Sequence, residues 1–316
     1  MRSHGIMFHY FENRDKHRKC QGSVTADELC RMIEYLRHSY QLLDAQDYLE
    51  CALQNTLKED YVCLTFDDGV KSQIDVAWDV LKSKRMTGFF FSYSSHFDAS
   101  PSMLEVYHDF RFRKYGDIDE FYSDFMDRML AVADSLHNDV RGAMASFDPK
   151  KYLVHSKCHT DNDRLFRYVR DCVLSQEEYD GIMTYMMDQK GYDMDRYIPE
   201  LWMNKNDLKC LHAHGNVVGL HSHTHPTTMA SKSWHEQYTE YRKNQETLQG
   251  ILGADVIAAS YPSGAFNQDT KGIMEQLQVR IAFQANMATN VHSLYQMPRK
   301  NHTDLIDEMK ENMWIK

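Results

Sequence analysis

The sequence predicts an α/β fold, a (β/α) barrel-like domain interrupted by a mostly helical insertion. Three observations predict it. Strand and helix patterns alternate over residues 5–95, lapse from about 97 to 203, and resume afterwards. The resumed stretch shows the same strand–helix order as the first, which reads as one barrel split in sequence. Three chemically loaded segments, Asp67-Asp68, His221–His225 and Tyr261-Pro262-Ser263-Gly264, each directly follow a predicted strand. In parallel α/β folds the carboxyl ends of strands share one face, where sites are built. The expected organisation is a barrel over 1–96 and 204–316 with an insertion over 97–203.

Each element has a local reason. Residues 5–10 (Gly-Ile-Met-Phe-His-Tyr) read as a short strand. Thr25-Ala26-Asp27-Glu28 is a capping box, and Leu29, Met32, Ile33 and Leu36 then fall at i, i+3, i+4 and i+7 of a helix. Residues 61–66 (Tyr-Val-Cys-Leu-Thr-Phe) form a buried-type strand that ends at the carboxylate pair. Ile74, Ala77, Trp78 and Leu81 mark the next helix face, and Thr87–Ser92 is another buried strand. From 97 to 203 there is no clean strand, only helical stretches such as 119–136 and 176–189. The tyrosines and aspartates of this region could face a polar ligand or form solvated helical surface. Beyond it, 204–214 is helical, 217–220 a strand, 234–252 a long helix, 256–261 a strand, 270–277 a helix and 280–284 a strand.

The bulk composition bounds the function. With 316 residues, 42% of them apolar, the chain can bury a sizeable core. A formal net charge of −10 argues against broad contact with nucleic-acid phosphates or anionic lipid. No stretch approaches the roughly 20 apolar residues of a membrane span. The opening Met1-Arg2-Ser3-His4-Gly5 does not read as a signal peptide. Seven cysteines (20, 30, 51, 63, 158, 172, 210) are dispersed with no CxxC pair, the pattern of reduced thiols in a cytoplasm rather than of metal ligation. A cytoplasmic location is the expectation.

The motifs carry the chemistry. Asp67 and Asp68 are chain neighbours, so their side chains point in different directions, and one can bind a metal while the other faces a substrate. Alone, the pair also reads as an ordinary Asp-Gly turn or helix cap. His221 and His225 sit four apart, a spacing that brings two imidazoles together on a helix or a curled loop. With 17 histidines in the chain, chance clusters are expected, and His223 is the member most open to that reading, with a supporting or substrate contact as its alternative. Pro262 removes one backbone donor, leaving the N–H groups after it free to meet an oxyanion, although a plain Pro-Ser-Gly turn looks the same. In the late cluster Pro298–Leu305, Arg299 could pair with a carboxylate and His302 could act as a general acid. His9, at the end of the first strand, is a further candidate for the same face.

Taken in order, Thr-Phe-Asp-Asp-Gly (65–69), His-Ser-x-Thr-His-Pro (221–226) and Tyr-Pro-x-Gly (261–264) resemble the polysaccharide deacetylases, the NodB-homology group or family 4 carbohydrate esterases. Met7-Phe8-His9-Tyr10 also looks like the first strand of members involved in surface-polysaccharide synthesis. The resemblance covers roughly residues 5–95 and 204–305. It implies a distorted (β/α) barrel and a divalent metal, usually zinc. By motif, Asp67 corresponds to the family's catalytic base; Asp68, His221 and His225 to its metal ligands; the turn at Ser263 to its backbone oxyanion donor. His302 is the match for its late histidine acid. Two departures stand out. The arginine that many members carry shortly before the third motif is replaced here by Ala258-Ala259-Ser260, with Arg299 as the candidate substitute. The tryptophan-containing fourth motif is not recognisable.

These readings converge on a metal-dependent N-deacetylase. Its expected partner is an N-acetylated sugar on a nucleotide, lipid or polymer carrier, made for a bacterial envelope glycan such as O-antigen. Two other readings remain at this stage. One is a metal-dependent glycosyltransferase holding a nucleotide diphosphate on Asp67-Asp68. The other is a catalytically silent glycan-binding barrel lacking its arginine.

Overall fold

The computed structural model describes residues 2–13, 15–98, 101–153, 160–288 and 293–315, so Cys158 lies outside the described residues. Among the described residues there are eight strands: β1 (His4–Phe8), β2 (Gln41–Leu42), β3 (Tyr61–Phe66), β4 (Phe89–Ser92), β5 (Val217–Leu220), β6 (Ala258–Ser260), β7 (Ile281–Phe283) and β8 (Arg299–Asn301). They lie in the order β7-β6-β5-β4-β3-β1-β8, with β2 beside the start of β3, and every pairing is parallel. The ring closes through the segment before β8. There the Ala282 N–H donates to the Leu294 carbonyl, the Met297 N–H to Ala282 and the Gln284 N–H to Met297. This is the (β/α) barrel that the alternation predicts, carried in one compact unit, Met1–Ser102 with Glu200–Lys316.

A strand covered on both faces needs no polar alternation, which is why β1, β4 and β5 are buried at every position and read as continuous apolar runs. One side of the strands (Val62, Leu64, Phe66, Phe90, Val218, Leu220) packs against the surrounding helices. These are α1 (Ala26–Ser39), α3 (Trp78–Lys84), α10 (Lys205–Ala213), α11 (Trp234–Leu252), α12 (Gln268–Gln276) and α13 (His302–Glu311). The other side (Cys63, Phe89, Phe91, Val217, Ile281, Phe283) fills the lumen with α2 (Ala45–Leu53), whose Tyr48 packs on Phe89 and Phe283. The Thr25 capping box forms as expected; such a cap is worth about 1 kcal/mol. The helix expected from Ile74 begins instead as a π-helical turn over Gln73–Ala77 before α3.

Met103–Pro199 forms the second compact unit. It contains α4 (Leu104–Lys114), α5 (Ile118–Ala131), α6 (Val140–Ser146), α7 (Asp161–Tyr168), α8 (Gln176–Gln189) and α9 (Met194–Tyr197) around Phe110, Phe121, Phe125 and Phe166. Its tyrosines and aspartates largely satisfy each other. Tyr107, Tyr115, Tyr122 and Tyr192 donate to Asp180, Asp124, Asp163 and Asp109 at 2.6–2.9 Å. These pairs are how half-buried hydroxyls are kept hydrogen-bonded, so their abundance is an architectural device of this unit.

Candidate metal and active site

β3 delivers Asp67 and Asp68 to the end of the barrel, and the chain must turn there at once. Asp68 adopts φ 76° and Gly69 φ 66°. Position 69 admits glycine alone, since a Cβ there would lie 2.4 Å from Ser92 Oγ. Asp67 and Asp68 are both almost fully buried. β5 ends at Leu220, and the loop that follows curls His221 and His225 back together, with Ser222 at φ 61° and His225 at φ 56°. Strained left-handed backbone at four site-loop residues (Ser263, at φ 53°, is the fourth) is the pattern of a functional centre.

Asp68 Oδ1 lies 3.2 Å from His221 Nε2 and 3.2 Å from His225 Nε2. Among the described residues these three form the one group able to hold a metal ion. The donor set fits a divalent cation on three counts. Two ligand atoms each about 2.1 Å from zinc, at angles between octahedral and tetrahedral, are roughly 3.0–3.4 Å apart. Asp68 Oδ1 is buried and makes no hydrogen bond, so the 3.2 Å contacts leave it unsatisfied. His221 donates from Nδ1 to the Ser260 carbonyl at 2.9 Å, which frees Nε2 as a ligand, as metal-binding histidines usually arrange.

Asp67 is held differently. Arg299, fully buried, donates to its two oxygens at 2.6 and 2.7 Å. The same guanidinium donates to Ser260 Oγ at 2.7 Å and to the Gln284 carbonyl at 2.7 Å, while Ser260 Oγ donates to Asp67 at 3.1 Å. Arg299 enters the lumen because Gly5 on the neighbouring strand leaves it room. A Cβ at Gly5 would sit 2.9 Å from Thr65 Cγ2 and 3.2 Å from Arg299 Cγ. Ser260, from the Ala-Ala-Ser stretch that lacks the family's arginine, thus shares Asp67 with Arg299.

The electrostatics follow from burial against charge. Burial alone would raise both carboxyls. Arg299 outweighs it at Asp67 and holds that group below the usual range. The two imidazoles outweigh it at Asp68 and hold that carboxyl well below the range. Burial likewise works to lower His221, but Asp67 and then Asp68 overcome it and raise its pKa. With both imidazoles neutral, as metal ligands must be, two buried carboxylates share a single guanidinium, and a cation at Asp68, His221 and His225 would balance the remaining negative charge.

The remaining sequence candidates divide. His9 Nε2 stands 4.0 Å from both Asp67 Oδ2 and Asp68 Oδ2, and its side chain is 29% exposed. His302 does not join them. It starts α13 almost fully buried, stacked on Phe8, with Nδ1 3.3 Å from the Met7 carbonyl. Burial lowers its pKa to about 4, so it is neutral in the fold. The carboxylate pair thus faces His9, while His302, expected as the acid, packs against the strand that bears His9. His223 also points elsewhere, with Nδ1 2.9 Å from Ser94 Oγ and Nε2 3.3 Å from Asp98. Ser263 is exposed, and its N–H makes no hydrogen bond among the described residues. Sequence reasoning missed Tyr93, whose ring meets His225 edge-on, centroids 5.7 Å apart.

Comparisons with known proteins bear on the fold. A family model described as polysaccharide deacetylase matches residues 181–282, the stretch that holds His221–His225 and Tyr261–Gly264. A search of curated proteins finds no match. Among solved structures, the chain is similar to the deacetylase PplD of Streptococcus pyogenes in complex with acetate (14% identity, 95% of this chain and 92% of that one, TM-score 0.55). It is similar to IcaB from Ammonifex degensii (14%, 94% and 90%, TM-score 0.54) and to a de-N-acetylase from Aggregatibacter actinomycetemcomitans (12%, 95% and 94%, TM-score 0.55). The chain has the polysaccharide deacetylase fold, and it carries that family's sequence pattern across residues 181–282.

Proposed function

We propose that this protein is a metal-dependent N-deacetylase, a hydrolase that cleaves the amide of an N-acetylated sugar. The observation that carries the reading is the meeting, at one end of the barrel, of the Asp68–His221–His225 donor set with a separate carboxylate, Asp67, clamped by Arg299. A divalent cation held by Asp68, His221 and His225, zinc in the first instance, would polarise the amide carbonyl and lower the pKa of its water towards about 7. Asp67, kept ionised by Arg299, takes the proton of the attacking water. The backbone N–H of Ser263 is available to the oxyanion of the tetrahedral intermediate. His9 gives a proton to the leaving amine. It is the half-exposed histidine beside both carboxylates, which suits an acid that must meet substrate. Acetate and a free amino sugar leave.

Two of the three solved structures above are named as a deacetylase and a de-N-acetylase, and the matching family model is described as polysaccharide deacetylase, which supports an acetylated glycan as substrate. The finer proposal is an N-acetylated sugar on a nucleotide, lipid or polymer carrier, used in a cytoplasmic step of bacterial envelope-glycan synthesis such as O-antigen. It draws on the negative charge and on dispersed cysteines without a paired motif. Arg299 beside Asp67 speaks against a silent barrel, because the absent arginine was the ground for that reading.

Acetate release from N-acetylated oligosaccharides and sugar nucleotides, with and without chelator, tests the proposal. Asp68→Ala and His225→Ala should lose the metal. Asp67→Asn should keep it and lose turnover. Full activity of Asp67→Asn would overturn the assigned base, and sugar-nucleotide consumption without acetate would select a glycosyltransferase.

A further inference from the structure

We propose that Tyr93 and Trp202 are positioning residues for the metal centre, and that the short segment Leu201–Met203 fixes both ligand loops at once. The inference rests on the metal-site reading above. It starts from an asymmetry between the two histidines. His221 is oriented by its Nδ1–H bond to Ser260, whereas His225 Nδ1 is buried with no hydrogen-bond partner. A ligand imidazole ordinarily has such a partner to fix its plane. The described ring contacts of His225 are Tyr93, edge-on at 5.7 Å and 61°, and His221 at 4.8 Å and 60°. Packing against Tyr93 therefore does for His225 what a hydrogen bond does for His221.

Tyr93 is itself fixed. It directly follows β4, is fully buried, and its hydroxyl accepts the indole N–H of Trp202. Trp202 stacks on His96 with centroids 5.3 Å apart and planes 6° from parallel. Its backbone bridges Val70 in antiparallel fashion. On either side the Lys71 N–H donates to the Leu201 carbonyl at 2.8 Å, and the Met203 N–H donates to Gly69 at 2.9 Å. Gly69 and Val70 directly follow Asp68, whose φ of 76° needs restraint. One three-residue segment thus grips the Asp68 turn through its backbone and the His225 ring through Trp202 and Tyr93.

The test measures zinc affinity by competition with a chromophoric chelator, the absorption spectrum of the cobalt-loaded protein, and thermal unfolding of the metal-free protein. Tyr93→Leu should weaken zinc binding about ten- to a hundredfold and alter the cobalt bands. Trp202→Phe keeps a ring against His96 while losing the donor to Tyr93 and part of the indole volume, so it should fold, less stably, and weaken zinc several-fold. Tyr48→Leu is the control for a merely structural effect. Tyr48 is equally buried but lies by Ser3 at the start of β1, so it should lower the melting temperature and leave zinc affinity unchanged. Wild-type zinc affinity and cobalt spectrum in both Tyr93→Leu and Trp202→Phe, whatever their melting temperatures, would overturn the inference and leave the metal site standing. Absence of zinc binding by the unaltered protein would instead overturn the metal-site reading itself. Should Tyr93→Leu fail to fold, Trp202→Phe alone decides.

Discussion

Replacing Arg299 with methionine should destabilise the barrel more than any other single change at this site. The guanidinium is fully buried and donates to Asp67, Ser260 and Gln284 at 2.6–2.7 Å. Methionine fills a similar volume but leaves the Asp67 carboxylate buried without its cation, and the Gln284 carbonyl loses its donor. Breaking a buried ion pair from one side costs roughly 3–5 kcal/mol. For a unit of this size that is a fall in melting temperature of roughly 6–20 °C. The measurement is urea unfolding in chelator, so that bound metal adds nothing to stability. Tryptophan fluorescence reports the barrel unit alone, because Trp78, Trp202, Trp234 and Trp314 all lie in it. The double variant Asp67→Asn, Arg299→Met removes both charges and should recover about 2 kcal/mol or more relative to the sum of the two single changes. If the two changes add within about 0.5 kcal/mol, the pair is not coupled and the electrostatic account of the site is wrong.

Two further outcomes follow from the histidines. His9→Gln should lower kcat by about 10²–10⁴-fold with metal content unchanged, whereas His302→Gln should act on stability; the reverse pattern, read from steady-state kinetics and metal analysis, would return the acid to His302. His4 and His302 are held neutral by burial, each with a folded pKa of about 4 against an ordinary 6.5. Below pH 6.5 the unfolded chain takes up protons that the fold refuses, so stability falls between pH 6.5 and 4 and then levels, by up to roughly 3 kcal/mol for each residue. Urea midpoints across that range should show a shallower decline for His302→Phe, and an unchanged slope would refute the assignment.

Legibility in the sequence followed physical cause. β3, β4 and β5 are covered on both faces, so their apolar runs are visible at a glance. β8 is not, because its residues are Arg299-Lys300-Asn301. Its inward position carries the guanidinium that serves Asp67, and no hydrophobic pattern can announce a strand whose buried residue is charged. Asp68, His221 and His225 were readable because residue type and spacing together limit what they can do. The facing histidine was harder. Its signal lay in register: β1 pairs with β3 so that Phe8 sits beside Phe66, which makes His9 the neighbour of Asp67 one step further on. Tyr93 and Trp202 look like ordinary core aromatics in sequence. Their meaning depends on an imidazole nitrogen without a partner, which only coordinates reveal.

The strain in the loops explains how such a site stays open to a cation. Among the described non-glycine residues, nine adopt positive φ, and Asp68, Ser222, His225 and Ser263 are four of them. At roughly 1–2 kcal/mol each, their combined cost rivals the whole stability of a typical domain. Unrestrained loops would relax. Here α11 supplies the restraint from one face, with Glu240 and Asn244 four residues apart. Asn244 accepts the His221 N–H and donates to the Ser92 carbonyl, while Glu240 accepts the N–H groups of His223 and Thr224 and the Thr224 hydroxyl. Ser222 Oγ closes the curl by accepting the His225 N–H. None of these bonds uses a ligand atom of Asp68, His221 or His225. The backbone is therefore shaped by the barrel and α11 independently of any cation, and each imidazole Nε2 is brought to 3.2 Å from Asp68 Oδ1, with the three ligand atoms within 4.8 Å of one another, against their mutual desolvation. A site assembled in that order would already be formed when it met a metal, so that the free energy of binding would go into holding the ion rather than into folding the loops.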